Sequence, residues 1–131
     1  MKKMKSLHSL FLGTISVSYA YYSRSYPAEI AEILGSHDNR ALLEHLVAGA
    51  TIPHIGNALH YFGFDKNELL FGLTGIYTIT SVIWEYLQYT QRGFYQLDQT
   101  VADFAGVCLG LMILKYCQKK DDLLKEVNTD G

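Results

Sequence analysis

The sequence predicts an all-α protein, a transmembrane bundle of four helices, and three observations support this fold class. Four long stretches are almost free of charged residues, the charges collect between these stretches and at the chain ends, and aromatic residues cluster where the stretches end. The composition agrees, because 49% of the 131 residues are hydrophobic and only 18% are charged. Charged residues make up about a quarter of an ordinary soluble domain.

Each charge-poor stretch is long enough to form one helix. The stretches are 6–23, 41–64, 69–84 and 104–114, and only the second contains a charged residue, Glu44. A membrane-spanning helix needs roughly 20 mostly apolar residues. With their polar flanks, the stretches therefore predict helices over about 6–23, 41–62, 69–90 and 100–117. The same stretches would also suit the buried helices of a soluble bundle.

The connections carry helix-end signals. Residues 28–34 have a short helical periodicity, and Gly35 is a stop signal after them. Gly63 is the predicted C-cap of the second long helix, and Asp65 is the predicted N-cap of the third. Residues 91–99 are predicted to form a loop before the fourth helix.

The chain is predicted to form one helical membrane domain over 1–117, followed by a charged cytoplasmic tail over 118–131. Lysines flank the helix ends on one predicted side: Lys2, Lys3, Lys5, Lys66, Lys115, Lys119, Lys120 and Lys125. The opposite side carries only Arg24, Arg40 and Arg92. Because positive charge is enriched on the cytoplasmic side, both termini are expected in the cytoplasm.

The N-terminus has a second interpretation. Three lysines precede an apolar stretch over 7–17, and Ser18, Tyr19 and Ala20 resemble a small-x-small cleavage site. Cleavage of a signal peptide over 1–20 would leave three membrane spans. An uncleaved first helix is the favoured alternative.

Most of the chemistry-bearing residues lie between the end of the third helix and the fourth helix. Glu85, Gln88 and Arg92 are spaced three and four apart, so they would share one helix face. Asp98 lies in the following loop. The next helix has Asp103, Gly106 and Gly110 on one face, where the two glycines would let a neighbouring backbone approach closely.

Ionisable groups at membrane depth usually face the bundle interior and pair with one another. Arg92 is therefore the predicted partner of Glu85, of Asp103, or of both. Two interpretations stay open for these residues. They form either an ion pair that fixes helix packing, or an outward-facing polar pocket that binds a ligand or a proton.

The second helix carries a further stripe of polar and small residues. His45, Gly49, Gly56 and His60 follow a spacing that places them on one face. The two histidines are more than about 20 Å apart along the axis, so they cannot bind the same metal ion. One histidine with one acid could still form a metal site, but a hydrogen-bonded histidine inside a bundle is the commoner case.

Several other functions lack their sequence patterns. There is no C-x-x-C or zinc pattern, nucleophile elbow, phosphate loop or dinucleotide fingerprint, so no cofactor or metal is predicted. The formal charge of −2 argues against a nucleic-acid partner, which would select a basic patch. The lipid bilayer is the expected partner.

Residues 84–110 resemble the signature region of the VanZ-like family of small membrane proteins. In that family a Glu-x-x-Gln pair ends one helix, an Arg and an Asp follow, and a polar residue precedes Gly-x-x-x-Gly. The matching residues here are Glu85, Gln88, Arg92, Asp98, Asp103, Gly106 and Gly110, with Asp103 in place of the usual Asn. His45 resembles the family's upstream histidine, and the Trp-Glu start also resembles YjdF-like membrane proteins.

The resemblance implies a protein of the cell envelope, in a bacterial inner membrane, within a family linked to glycopeptide resistance. The first hypothesis is a non-enzymatic protein that binds an amphiphile or a membrane-protein partner through the polar pocket. The second is a membrane-embedded enzyme with Glu85 or Asp103 as acid/base and His45 assisting. The third is a soluble helical interaction domain with a cleaved signal peptide.

Overall fold

In the computed structural model, which describes residues 2–60 and 62–129, the chain forms five helices. These are α1 (Lys2–Ser25), α2 (Pro27–Leu34), α3 (His37–His60), α4 (Lys66–Arg92) and α5 (Leu97–Thr129). The all-α prediction is confirmed, and α1, α3, α4 and α5 correspond to the four predicted long helices. Tyr61 lies outside the described residues, as do the side chains of Lys2, Lys3, Lys5, Lys66 and Lys125.

The helix ends follow the capping signals of the sequence. Gly35 has a φ of 86°, and its N–H bonds to the carbonyl oxygen of Glu32, which closes α2. The Asp65 carboxylate accepts hydrogen bonds from the backbone N–H groups of Asn67 and Glu68, so Asp65 is the N-cap of α4. Gly93 ends α4 at a φ of 79°.

The short helical periodicity of residues 28–34 is confirmed as α2, with Pro27 at its first turn, where the missing N–H costs nothing. Two boundaries differ from the prediction. The loop predicted over 91–99 is shorter, because α4 continues to Arg92 and α5 begins at Leu97. Residues 118–129, predicted as a tail, continue α5 as helix. This segment is rich in Lys, Leu, Asp and Glu and has no Gly or Pro, so nothing in it ends a helix.

Helix α3 lies at the centre of the bundle and contacts each of the other helices. It runs parallel to α5 and antiparallel to α1.

Small residues bring the α3 and α5 backbones together. A Cβ added at Gly49 would clash with the carbonyl oxygen of Asp103, and one at Gly106 would clash with that of Leu46. Gly110 is equally close to the carbonyl oxygen of Ala50. This is the packing that small-xxx-small patterns allow in membrane helices.

The neighbouring backbone that the glycine face of α5 admits is therefore that of α3. Gly56, also predicted to serve packing, lies opposite the start of α4, where a Cβ would meet the Leu70 Cα at 3.5 Å. That is an ordinary van der Waals distance, so the contact between α3 and α4 is looser than the one between α3 and α5.

Burial is inverted relative to a water-soluble protein. Among the described residues, the buried hydrophobic side chains are only Ala31, Val107 and Leu114. The buried polar side chains are Ser9, Ser23, Thr51, His54, Glu85, Thr100 and Asp103. Large apolar residues lie outside instead: Phe71 is 75% exposed on α4, and Met112 is 69% exposed on α5. The accessible surface of 9109 Å² also exceeds the roughly 7,000 Å² expected of a compact monomer of this mass.

In the described part of the chain, one helical segment is long and apolar enough to cross a membrane. It is Leu97–Lys120, with 24 residues and a mean hydropathy of 1.5. Core helices of soluble proteins can pass the same test, so this is weak evidence on its own. Serines, threonines and histidines dilute the hydropathy of the other long helices. The four-span arrangement thus stays a prediction.

The α3–α5 contact makes a direct prediction. Gly106→Ala should destabilise the fold by about 1–3 kcal/mol, because the added Cβ meets backbone that cannot move aside cheaply. Gly72→Ala is the matched control, since no atom lies within 4 Å of its added Cβ. It should be neutral or stabilise by up to about 1 kcal/mol. Thermal unfolding in a mild detergent measures both, and equal midpoints would contradict the close contact.

Candidate functional site

Asp103 is the centre of a buried polar cluster that joins three helices. It lies in the second turn of α5 and is 4% exposed. His45 of α3 lies with its Nδ1 3.0 Å from Oδ2 of Asp103. Tyr77 and Ser81 of α4 donate their hydroxyl hydrogens to Oδ1 and Oδ2 of the same carboxylate. Three donors therefore use both oxygens of Asp103.

The contact with Asp103 fixes the orientation of His45. A carboxylate can only accept, so Nδ1 of His45 carries the hydrogen and donates it. The Nε2 of His45 is left for another partner, and the side chain is 27% exposed. An imidazole held by a carboxylate on one nitrogen presents the other nitrogen in a defined direction. His45 can therefore accept a hydrogen bond or a proton from a bound molecule.

A second cluster surrounds Glu85, one helical turn beyond Ser81. Glu85 is 1% exposed, and its Oε2 lies 3.4 Å from Nη2 of Arg92. Arg92 also donates to the side-chain oxygens of Gln88 and Gln96. The other Glu85 oxygen, Oε1, has no hydrogen-bond partner. This cluster resembles the packing ion pair of the first sequence interpretation, because Arg92 balances a carboxylate that is cut off from solvent.

A third cluster joins α1 to α3 around Glu44. Arg24 donates from Nε to Oε1 of Glu44 at 2.8 Å, and Arg40 donates from Nη1 to Oε2 at 3.2 Å. Ser23, which is fully buried, donates to Oε2 at 3.3 Å. Glu44 and His45 are neighbours on α3, so the Glu44 cluster and the Asp103 cluster lie at the same height in the bundle.

A cleft opens between these two clusters, with a volume of about 230 Å³. We call it the α3–α4 cleft. Its lining residues are Arg24, Glu44, His45, Ala48, Tyr77, Thr80, Ser81, Trp84 and Asp103. They come from the end of α1, the first half of α3, the middle of α4 and the start of α5. Antiparallel neighbours place these chain regions at one end of the bundle.

The predicted site residues divide between two places. Asp103 and His45 lie together in the α3–α4 cleft, whereas Glu85, Gln88 and Arg92 form the second cluster. The predicted bridge from Arg92 to Glu85 is present, but Asp103 receives its hydrogen bonds from α3 and α4 and not from Arg92. Asp98 is exposed in the first turn of α5 and lies in neither cluster.

Sequence reasoning missed several residues of the α3–α4 cleft, including Tyr77, Ser81 and Arg24. A signal was present for two of them, because Tyr77, Ser81 and Glu85 are spaced four apart and so share one helix face. Glu44 also had a signal as the one charged residue of the second charge-poor stretch. Arg24 had none, since its place beside the cleft depends on how α1 packs on α3.

Within the described residues, no group of three or more His, Cys, Asp or Glu side chains is placed so that it could hold a metal ion. His60, the second histidine considered, is the last residue of α3, so it lies far along that helix from His45 and the α3–α4 cleft. Its Nδ1 is 2.7 Å from the carbonyl oxygen of Phe64, which follows the helix.

Comparison with protein-family models, with curated proteins and with solved structures finds no match to this chain. The VanZ-like resemblance of residues 84–110 thus stays a prediction from the motif.

In the Glu85 cluster, the effects of two substitutions on the free energy of unfolding are expected to be non-additive. Arg92→Gln should destabilise the fold by about 3 kcal/mol, because Glu85 is left as a buried charge without its base. This is the lower end of the usual range, since the Arg92 side chain is 30% exposed. The double variant Glu85→Gln/Arg92→Gln should recover much of the loss, because the buried charge is also removed. Chemical unfolding in detergent measures both. A double variant no more stable than Arg92→Gln would show that Arg92 does not balance Glu85.

Proposed function

We propose that this chain is a small integral membrane protein of the cell envelope, and that its α3–α4 cleft binds the polar head of an amphiphile. The inverted burial carries the proposal: polar side chains are inside, and large apolar side chains cover the outside. In water this surface would be an aggregation hazard, whereas in a bilayer it faces acyl chains.

The charge distribution supports an orientation. The cleft and the Glu85 cluster lie at the end that carries Arg24, Arg40 and Arg92. In the proposed orientation, with the lysine-rich ends in the cytoplasm, this end is on the non-cytoplasmic side. Asp103 is six residues into the candidate span Leu97–Lys120, or roughly 9 Å along the helix axis. The cleft therefore lies near head-group depth, where an amphiphile can enter from the outer surface. The motif resemblance adds the envelope as the place of action.

One observation favours a second candidate, a membrane-embedded enzyme. The Asp103–His45 pair presents Nε2 of His45 to the cleft in the way a general base is presented to its substrate. In this version His45 is the base and Asp103 the positioning residue, because both Asp103 oxygens already accept hydrogen bonds. The binding function is preferred, because no side chain in the cleft is paired with His45 Nε2 as a nucleophile would be.

Membrane integration is tested by alkaline carbonate extraction of membranes from cells that express the chain. We expect the protein to stay in the membrane pellet, because its exposed apolar side chains are more stable in contact with acyl chains than with water. A peripheral membrane protein in the same sample is the control and should be released. Release of the chain itself would favour the soluble interaction domain.

Cleft binding is tested through Trp84, which is the one tryptophan of the sequence and lines the cleft. Titration of the detergent-solubilised protein with single-chain amphiphiles should change Trp84 fluorescence in a saturable way. Ala48→Leu, which fills the cleft without touching its hydrogen bonds, should abolish the saturable change. Ala105→Leu on the exposed side of α5 is the matched control. A saturable change that survives Ala48→Leu would place binding elsewhere.

A further inference from the structure

We infer that the α3–α4 cleft selects an anionic phosphate head group, with Arg24 as its principal contact. This inference rests on the proposed function, because it names the ligand class of the same cleft. It follows from which hydrogen-bonding groups of the cleft are already used and which are free.

The carboxylate oxygens of the cleft already accept hydrogen bonds from side chains of the protein. Both oxygens of Asp103 accept hydrogen bonds, from His45, Tyr77 and Ser81. Both oxygens of Glu44 likewise accept, from Ser23, Arg24 and Arg40. A ligand that offers mainly donors would have to displace these internal bonds. The cleft is therefore poorly suited to a cationic or donor-rich head group, despite its two carboxylates.

Apart from Nε2 of His45, the unengaged polar groups of the cleft can donate hydrogen bonds. Arg24 uses only Nε, toward Glu44, so both of its terminal nitrogens are unengaged, and its side chain is 78% exposed. Trp84 also lines the cleft, and its indole N–H is a group that only donates. Thr80 adds a hydroxyl group. The complementary ligand carries several acceptor oxygens at one point, as a phosphate does.

The charges around the cleft also favour an anionic phosphate ligand. Arg24 and Arg40 together face Glu44, which leaves one positive charge uncompensated in the Glu44 cluster. The negative charge of Asp103 is buried and is met by three donors. An approaching head group thus meets the exposed guanidinium first. Arginine binds phosphate through a planar pair of N–H donors, which a point-charge cation does not offer.

The depth of Arg24 fits a lipid phosphate. It lies in the last turn of α1, next to the exposed Tyr21, Tyr22 and Tyr26. Tyrosines of this kind sit at the membrane–water interface, which is where lipid phosphates lie. A free phosphate would satisfy the same donors, so the experiment must separate the two sources.

The test compares two single-chain lipids that differ only in the phosphate: oleoyl lysophosphatidate and monooleoylglycerol. Trp84 fluorescence in dodecyl maltoside measures both dissociation constants. We expect lysophosphatidate to bind at least about tenfold more tightly, the usual effect of hydrogen bonds to a charged group. Inorganic phosphate alone is the third arm. If it gives the same Trp84 change at the same affinity, the anion site stands and its source is free phosphate.

Arg24→Gln should remove the preference for lysophosphatidate, so that the ratio of the two dissociation constants falls to about one. Arg24→Lys keeps the charge but not the planar donor pair, so it should restore part of the preference. Lys115→Gln, exposed at the other end of the bundle, is the matched control and should change neither constant. Equal affinities for the two lipids in the unmodified protein would overturn the inference and leave amphiphile binding intact. Binding of neither lipid would instead overturn the proposed function.

Discussion

The close approach of α3 and α5 is the constraint on which the rest of the structure depends. Gly49 of α3 lies against the carbonyl oxygen of Asp103, and Gly106 of α5 lies against that of Leu46. Only a hydrogen atom fits at these positions. Because the two backbones meet there, the first turns of α5 are held beside the first turns of α3. His45 thereby reaches Asp103 across the same contact.

Polar side chains can occupy the interior because they find partners on neighbouring helices. A buried acid without partners would be costly, but Asp103 accepts from α3 and α4, and Glu44 accepts from α1 and from its own helix. Such hydrogen bonds link α1, α3, α4 and α5 in the interior. Large apolar side chains such as Phe71 and Met112 lie on the outside.

The sequence predicted which site residues share one helix face, but not which helices bring them together. The α4 face with Glu85, Gln88 and Arg92 follows from the helical period, and these residues do lie together. The partner of Asp103 could not be derived in this way. Helical spacing fixes which residues share a face, but not which neighbouring helix that face meets. Arg92 was one predicted partner of Asp103, whereas the Asp103 side chain contacts Tyr77 and Ser81 of α4 and its backbone packs on α3.

By itself the sequence determined the all-α class, the four long helices, and helix ends such as Gly35, Asp65 and Gly93. These features depend on composition, periodicity and capping, which act over a few residues. Only the tertiary structure decided the parallel pairing of α3 with α5, the place of Arg24 beside the cleft, and the use of Asp103 as an acceptor for three side chains. Each of these joins residues from different helices, and the physical reason is that contacts between helices depend on packing geometry that no local pattern encodes.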